Sequence, residues 1–140
     1  PDGLSQDSLH MLMTCEPQIK EIGDLISRTD VLLFGIGTAM RMADQRHIAD
    51  DVRKQLVDNH AVGEALGQYC DIDGKLIYST NNIGLSLPDV AKIPNVIAVA
   101  GGQDKSSAII GVMRACQKGI LIIDEQAAEG MRQLLQISAL

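Results

Sequence analysis

The feature that most constrains this chain is the stretch 93–114, IPNVIAVAGGQDKSSAIIGVMR. Pro94 ends whatever precedes it, and Asn95–Ala100 is a run of β-branched and small apolar residues that suits a strand buried on both faces. Gly101 and Gly102 break that strand. Asp104 can cap the helix after it, in which Ala108, Ile109, Val112 and Met113 recur at helical spacing. Strand, glycine turn and helix form the βα unit of a parallel sheet. Such a turn lies at the carboxyl edge of the strands, where ligands bind in open α/β folds.

Lys105 gives the turn its chemical interest. Free N–H groups and the macrodipole make a helix N-terminus positive, so a lysine there is mildly unfavourable without a negative neighbour. Three readings are open: Lys105 pairs with Asp104, it stands in solvent, or it meets a phosphate that Gly101 and Gly102 admit close to the backbone. The spacing is not that of a Walker phosphate loop.

A similar pattern occurs earlier. Residues 31–34, VLLF, read as a second buried strand that runs into Gly35-Ile36-Gly37-Thr38 and a Met-rich helix over Ala39–Gln45. Gly35 and Gly37 let a ligand approach the backbone. Without a third glycine and a later acidic ribose reader they make no dinucleotide fingerprint. Met40 and Met42 read as core. Further on, Glu64 stands among small apolar residues in AVGEALGQYCD, where a carboxylate must be exposed, paired or used on a ligand hydroxyl.

The remaining chain fits around these anchors. Residues 1–13 open on turn-rich PDGLS and read as a linker inside a longer protein. Pro17 starts a helix whose apolar face is Ile19, Ile22, Leu25 and Ile26. Residues 50–59 read as a short helix with Val52, Leu56 and Val57 inward. The turn Asp71-Ile72-Asp73-Gly74 predicts a β-hairpin near 65–79, with 75–79 as the returning strand. Ser86 and Asp89 have capping-box spacing and open a short helix through Lys92. Gly119 supplies a left-handed helix cap, Ile120–Ile123 is a third buried strand, and 125–135 is a last helix with Ala128, Met131, Leu134 and Leu135 inward. The order predicts an α/β fold with an open, mostly parallel sheet, flanking helices and right-handed crossovers.

Composition narrows the function. The net charge is −6 with no Lys/Arg run, so the chain by itself is a poor binder of nucleic acid or anionic membrane, and an anionic ligand needs a local positive site. Aromatics are only 2%, which argues against base stacking. No apolar run is long enough to cross a membrane, and the first residues lack a signal-peptide pattern. Cys15, Cys70 and Cys116 form no CxxC pair and His10, His47 and His60 are scattered, so neither a metal site nor a cofactor is expected. Free thiols suit the cytoplasm.

The segments LFGIGTAMRMA, NHAVGEALGQYCDIDGKLI, GLSLPDVAKIPNVIAVAGGQDKSSAI and LIIDEQAA occur in the order seen in SorC-type bacterial transcriptional regulators. They resemble the C-terminal effector-binding domain of that family over essentially the whole chain. The resemblance implies a Rossmann-like fold of the sugar-phosphate isomerase/deaminase superfamily. It also implies a domain that binds a phosphorylated sugar, controls DNA binding by a separate N-terminal helix-turn-helix domain, and assembles into a homo-oligomer, dimer or tetramer. In the branch of the family that governs glycolysis the expected effectors are fructose-1,6-bisphosphate and related sugar phosphates. Carried over by motif, Glu64 corresponds to the acidic residue that meets sugar hydroxyls and Lys105 to the lysine that meets a phosphate or the sugar. Gly35 and Gly37 fall at a turn on the same edge.

Two departures from the family matter. Its effector domains are nearly twice as long, and their first half carries a glycine/threonine phosphate loop and basic residues. Residues 1–140 are therefore expected to be the C-terminal part of one effector domain, without the helix-turn-helix and the first half, and with an incomplete bisphosphate site. Gln103-Asp104 also stands where the family often has small residues. The rival reading is a sugar-phosphate isomerase or deaminase on the same fold, for which Glu64, Asp104, Asp124 and Glu125 are available carboxylates. Fold alone transfers no activity, no histidine falls at a strand-end turn, and no catalytic residue is assigned.

Overall fold

The computed structural model describes residues 4–136. Two helices, α1 (Gln6–Cys15) and α2 (Pro17–Ser27), precede strand β1 (Val31–Gly35). A short strand β2 (Gly37–Thr38) leads into α3 (Ala39–Gln45) and α4 (Asp50–Asp58). Three strands come next, β3 (Gly63–Ala65), β4 (Gln68–Cys70) and β5 (Leu76–Ser79), then the short helix α5 (Leu87–Val90). The central unit is β6 (Asn95–Ala100), a 3-10 turn Gln103–Lys105 and helix α6 (Ser106–Cys116). Strand β7 (Ile120–Ile123) and helix α7 (Glu125–Leu134) close the fold.

The strands form two sheets. Strands β1, β6 and β7 make a parallel sheet in the order β1-β6-β7, as the strand–turn–helix units require. Strands β2 to β5 make a separate antiparallel meander. The Asp-Gly turn lies between β4 and β5, with Asp71 accepting from the amides of Asp73 and Lys75. A second hairpin, β3–β4, is not foreshadowed in the sequence. Its two-residue turn is Leu66-Gly67, both at positive φ (55° and 78°), and a leucine there gives no turn signal.

The parallel strands are not buried on both faces among the described residues. Phe34, Val96, Ala98 and Ala100 pack with Ala108, Ile109, Val112, Cys116 and Ala127 in one core. On the opposite face Val31, Leu33, Val99, Ile120 and Ile122 are exposed, Leu33 to 67% and Ile120 to 63%. These side chains are in register: Leu33 pairs with Ile97 and Ile97 with Ile120, while Gly35 pairs with Val99 and Val99 with Ile122. Their apolar character marks them correctly as strand, but among the described residues no layer covers this face.

Helix α6 lies between the two sheets and is buried along nearly all its length. Close approach is possible because two glycines face backbone. A Cβ on Gly63 would lie 2.8 Å from the Ala108 carbonyl oxygen, and one on Gly111 would lie 2.4 Å from that of Asp71.

Other expectations shift for local reasons. Residues read as a linker form α1, because the Ser5 hydroxyl caps it by accepting from Ser8 N–H at 3.1 Å. Asp104 lies inside the 3-10 turn and does not cap α6. The left-handed cap of α6 is Gln117 (φ 54°), two residues before Gly119. In α4 Leu56 is buried and Val57 exposed. Helix α7 docks through Ala127 and Gly130, small enough to approach Ser106, which leaves Leu134 and Leu135 outside. Likewise Ile22 and Leu25 of α2 remain exposed. The Ser86–Asp89 capping box is present, and hydrogen bonds from Lys92 and then Ser86 hold the Asp89 carboxyl down at about 2. Among the described residues no helix is long and apolar enough to cross a membrane.

Burial pushes the Cys70 thiol up to about 12, with Asp71 adding to the shift, and the Cys116 thiol to about 11. Both are protonated at neutral pH, whereas Cys15 is exposed. Alkylation of the native protein at pH 8, mapped by mass spectrometry, should label Cys15 and spare Cys70 and Cys116 until denaturant is added. Equal labelling of all three would contradict this core.

Candidate functional site

A cleft of about 520 Å³ opens at the carboxyl ends of β1 and β6. The turn from β1 through β2 forms its floor, α3 supplies Arg41 and Met42, and Arg46 comes at the end of that helix. Glu64 and Leu66 line it from the β3–β4 hairpin, and Val99 and Lys105 from the central unit. The fold thus brings together four of the residues singled out in the sequence: Gly35, Gly37, Glu64 and Lys105.

Glu64 sits opposite Gly37 in the β2–β3 ladder and is only 3% exposed. Its Oε1 accepts a hydrogen bond from the Gly67 amide at 2.7 Å and one from the Arg46 guanidinium at 3.2 Å. Of the three readings open in the sequence, the carboxylate is therefore paired, with a cation and a backbone donor that offset its desolvation. Arg46 is itself about three-quarters buried, with 24% of its side chain accessible.

Lys105 ends the 3-10 turn and is the N-cap residue of α6, an end that no side chain caps. No carboxylate among the described residues lies within ion-pair distance of it, so pairing with Asp104 is not what holds it. Lys105 lines the cleft. Arg41, Arg46 and Lys105 therefore face one carboxylate, Glu64, in a chain whose net charge is −6.

Gly101 and Gly102 are placed differently. They do not line the cleft. The Gly102 amide donates to the Asp124 carboxylate at 2.9 Å, and Asp124 also caps α7 by accepting from Ala127 N–H at 2.8 Å. These two backbone bonds, Ala127 first, lower the Asp124 pKa. Gly102 takes φ 97°, and a Cβ on Gly101 would lie 2.8 Å from Asp124 Oδ2. This turn binds an anion that the chain itself provides, at the end of β7.

Sequence reasoning missed Arg41, Arg46 and Leu66. The arginines are visible in TAMRMADQR, but the methionines draw the helix toward a core reading. Ala39 and Ala43 are the buried positions of α3, which leaves Arg41 outward. Gly37 has a steric reason to be glycine, since a Cβ would meet Met42 Cγ at 2.4 Å, whereas one on Gly35 would meet nothing closer than 3.9 Å. Among the described residues no group of His, Cys, Asp and Glu could hold a metal ion.

Residues 1–133 match the family model of the sugar-binding domain, Sugar-bind. The chain belongs to this sugar-binding domain family. Its relatives include the central glycolytic genes regulators of Bacillus subtilis, 36% identical over 92% of this chain and 38% of that protein, and of Priestia megaterium, 37% identical over 92% of this chain and 37% of that one. A solved SorC family transcriptional regulator from Enterococcus faecalis is 38% identical with a TM-score of 0.82, covering 91% of this chain and 52% of that one. The full-length sorbitol operon regulator SorC from Klebsiella pneumoniae, 24% identical with a TM-score of 0.73, shares the fold over 91% of this chain and 42% of that one. The chain thus spans well under half the length of the curated relatives it matches. The relatives of the sugar-binding domain are transcriptional regulators, and the isomerase or deaminase reading is set aside.

Adding a methyl group should separate the two close glycines in this site. Gly37→Ala presses on a flexible methionine, so Met42→Ala should restore most of its lost stability. Gly63→Ala presses on the α6 backbone and should lose more, toward the upper end of the roughly 1–3 kcal/mol typical of overpacking. Urea unfolding of the intact protein would measure both, and equal losses would contradict the packing at Gly63.

Proposed function

We propose that residues 1–140 are the C-terminal part of the effector-binding domain of a cytoplasmic transcriptional regulator. Its cleft takes a phosphorylated sugar, such as fructose-1,6-bisphosphate, and occupancy controls DNA binding by a separate helix-turn-helix domain. One observation carries the reading: three cations, Arg41, Arg46 and Lys105, line a cleft at the carboxyl edge of a parallel sheet in an otherwise acidic chain. Dianionic phosphate is the group that such a cluster selects, because charged donors bind it more strongly than neutral ones. The glycolytic genes regulators among the relatives support a glycolytic phosphosugar in particular.

Each residue then has a physical role. Lys105, at the start of α6, meets a phosphate through its ammonium group. Glu64 accepts from sugar hydroxyls while holding Arg46 in place. Gly35 and Gly37 keep the floor of the cleft open to the ligand. Gly101 and Gly102 contribute indirectly, by fixing the turn that presents Lys105. No cofactor enters.

The rest of the effector domain completes this cleft. Gly35 and Val99 both line the cleft and lie on the bare face of the parallel sheet, so a layer that covers that face also closes the ligand site. Parallel sheets are stable with both faces covered. Assembly of the regulator as a homo-oligomer, dimer or tetramer, belongs to the same proposal. The ligand acts by binding one regulator state better than another, and its differential affinity sets the size of the response.

Lys105→Ala in the intact regulator should weaken phosphosugar binding by about 1.5–3 kcal/mol, the range for a hydrogen bond to a charged group. That corresponds to roughly tenfold to a hundredfold in Kd. Binding of the unphosphorylated sugar should change less. Calorimetric titration of both proteins reads this directly, and unchanged affinity would remove Lys105 from the site.

A further inference from the structure

Arg46 and Leu66 do more than line the cleft. They also border a second cavity of about 330 Å³, lined as well by Gly67 and the loop 82–85. The same four loop residues also border an apolar groove of about 400 Å³, opposite Leu9 and Met13 of α1 and Ile26 of α2. The loop is a partition between the ligand side of the molecule and its first two helices.

Hydrogen bonds and one stretch of backbone, Thr80–Asn82, cross that partition. Glu64 holds the Gly67 amide. The Gly67 carbonyl accepts from both the amide and the hydroxyl of Thr80, at 2.8 and 3.0 Å. Asn82 Nδ2 donates to the Thr80 hydroxyl at 3.2 Å and reaches the Leu66 carbonyl at 3.5 Å. Next to it, Asn81 donates to the Leu4 carbonyl at 2.8 Å and accepts from Gln6 Nε2 at 2.6 Å, at the start of α1. The turn at the cleft end of this chain is strained. Leu66 sits at φ 55°, a conformation that persists in a branched residue only where its surroundings enforce it. Gly67 is wedged in place, since a Cβ there would lie 2.3 Å from the Thr80 hydroxyl.

We infer that the Leu66-Gly67 turn and the loop 81–85 relay the state of the cleft to α1. One carboxylate oxygen, Glu64 Oε1, holds both the Arg46 guanidinium and the Gly67 amide. An anion that draws Arg46 toward itself changes the hold on the turn, and a strained turn relaxes when one of its constraints is altered. The loop is tied to the turn and to α1 through side-chain amides, so it moves with the turn. The ligand half of this inference rests on the proposed phosphosugar site; the mechanical half does not.

Hydrogen exchange monitored by mass spectrometry on the intact regulator tests both halves. Without ligand, Glu64→Gln weakens the hold on the turn and should raise exchange several-fold at Gly67, across 80–85 and in the first turn of α1, while α7 stays at the wild-type level. A change confined to Gly67 would overturn the relay. Should Glu64→Gln unfold the protein, Asn81→Ala decides instead, because it removes the hydrogen bonds from the loop to the start of α1 and leaves every charge in place: exchange should rise in α1, and no rise there would overturn the relay. With fructose-1,6-bisphosphate as probe, wild type should alter exchange in α1, and Asn81→Ala should bind equally well but lose that distant response. A retained response in Asn81→Ala would also overturn the relay. Failure of wild type to bind any phosphosugar would instead count against the proposed function and leave the ligand-free comparison standing.

Discussion

The structure depends on helix α6 being held between two sheets. On one side Ile109, Val112 and Cys116 fill the core under β1 and β6. On the other, Gly63 and Gly111 bring β3 and the β4–β5 turn into contact with backbone. Nothing larger than hydrogen fits at these positions. This close approach fixes the height of β3 relative to the parallel sheet, and β3 carries Glu64. The position of the cleft carboxylate is therefore set by helix–sheet packing rather than by the loops around it. Ser106, at the start of the same helix, makes the corresponding contact with α7 by donating to the carbonyls of Gln103 and Ala127.

How much of this is legible in the sequence depends on the range of the forces involved. The three parallel strands are legible because four or five consecutive apolar residues leave few alternatives. Helices α3, α4, α6 and α7 emerge from periodicity and the Ser86–Asp89 box from its spacing. The features that escape are decided by partners distant in sequence. The β3–β4 hairpin turns on Leu66 at positive φ, which Glu64 and Thr80 enforce from outside the turn. Periodicity assigns the inner face of α7 to its larger side chains, yet Ala127 and Gly130 are inside, because close docking beside Ser106 favours small residues. The bare sheet face is invisible to sequence, since an uncovered apolar strand and a covered one have the same composition.

The site divides along the same line. Gly35, Gly37, Glu64 and Lys105 meet in one cleft because each stands at a strand end or its partner hairpin. Gly101 and Gly102 have equal claim by residue type, but their anion is Asp124, supplied from the neighbouring strand end. An Asp after a strand, in LIIDEQ, reads as the cap of the next helix. That it also reaches back to the preceding strand's turn is a consequence of β6 and β7 lying side by side, which spacing alone does not report.

The charge of the cleft explains why a buried carboxylate is compatible with an anionic ligand. Glu64 would repel a phosphate if it stood alone, and burying it alone would cost several kcal/mol. Paired with Arg46 it is nearly neutral at a distance, while Arg41 and Lys105, which make no ion pair among the described residues, add positive charge to the cleft. In the proposed complex the carboxylate discriminates by geometry: it accepts hydrogen bonds from hydroxyls close by and excludes a second anion from its own position. A ligand that places a phosphate by Lys105 and hydroxyls by Glu64 satisfies both ends, whereas inorganic phosphate satisfies one and a free sugar the other. On that reading the cleft measures the distance between a charge and a hydroxyl. Because Glu64 is rooted in β3 and Lys105 at the start of α6, the rigid contact between Gly63 and Ala108 sets that distance.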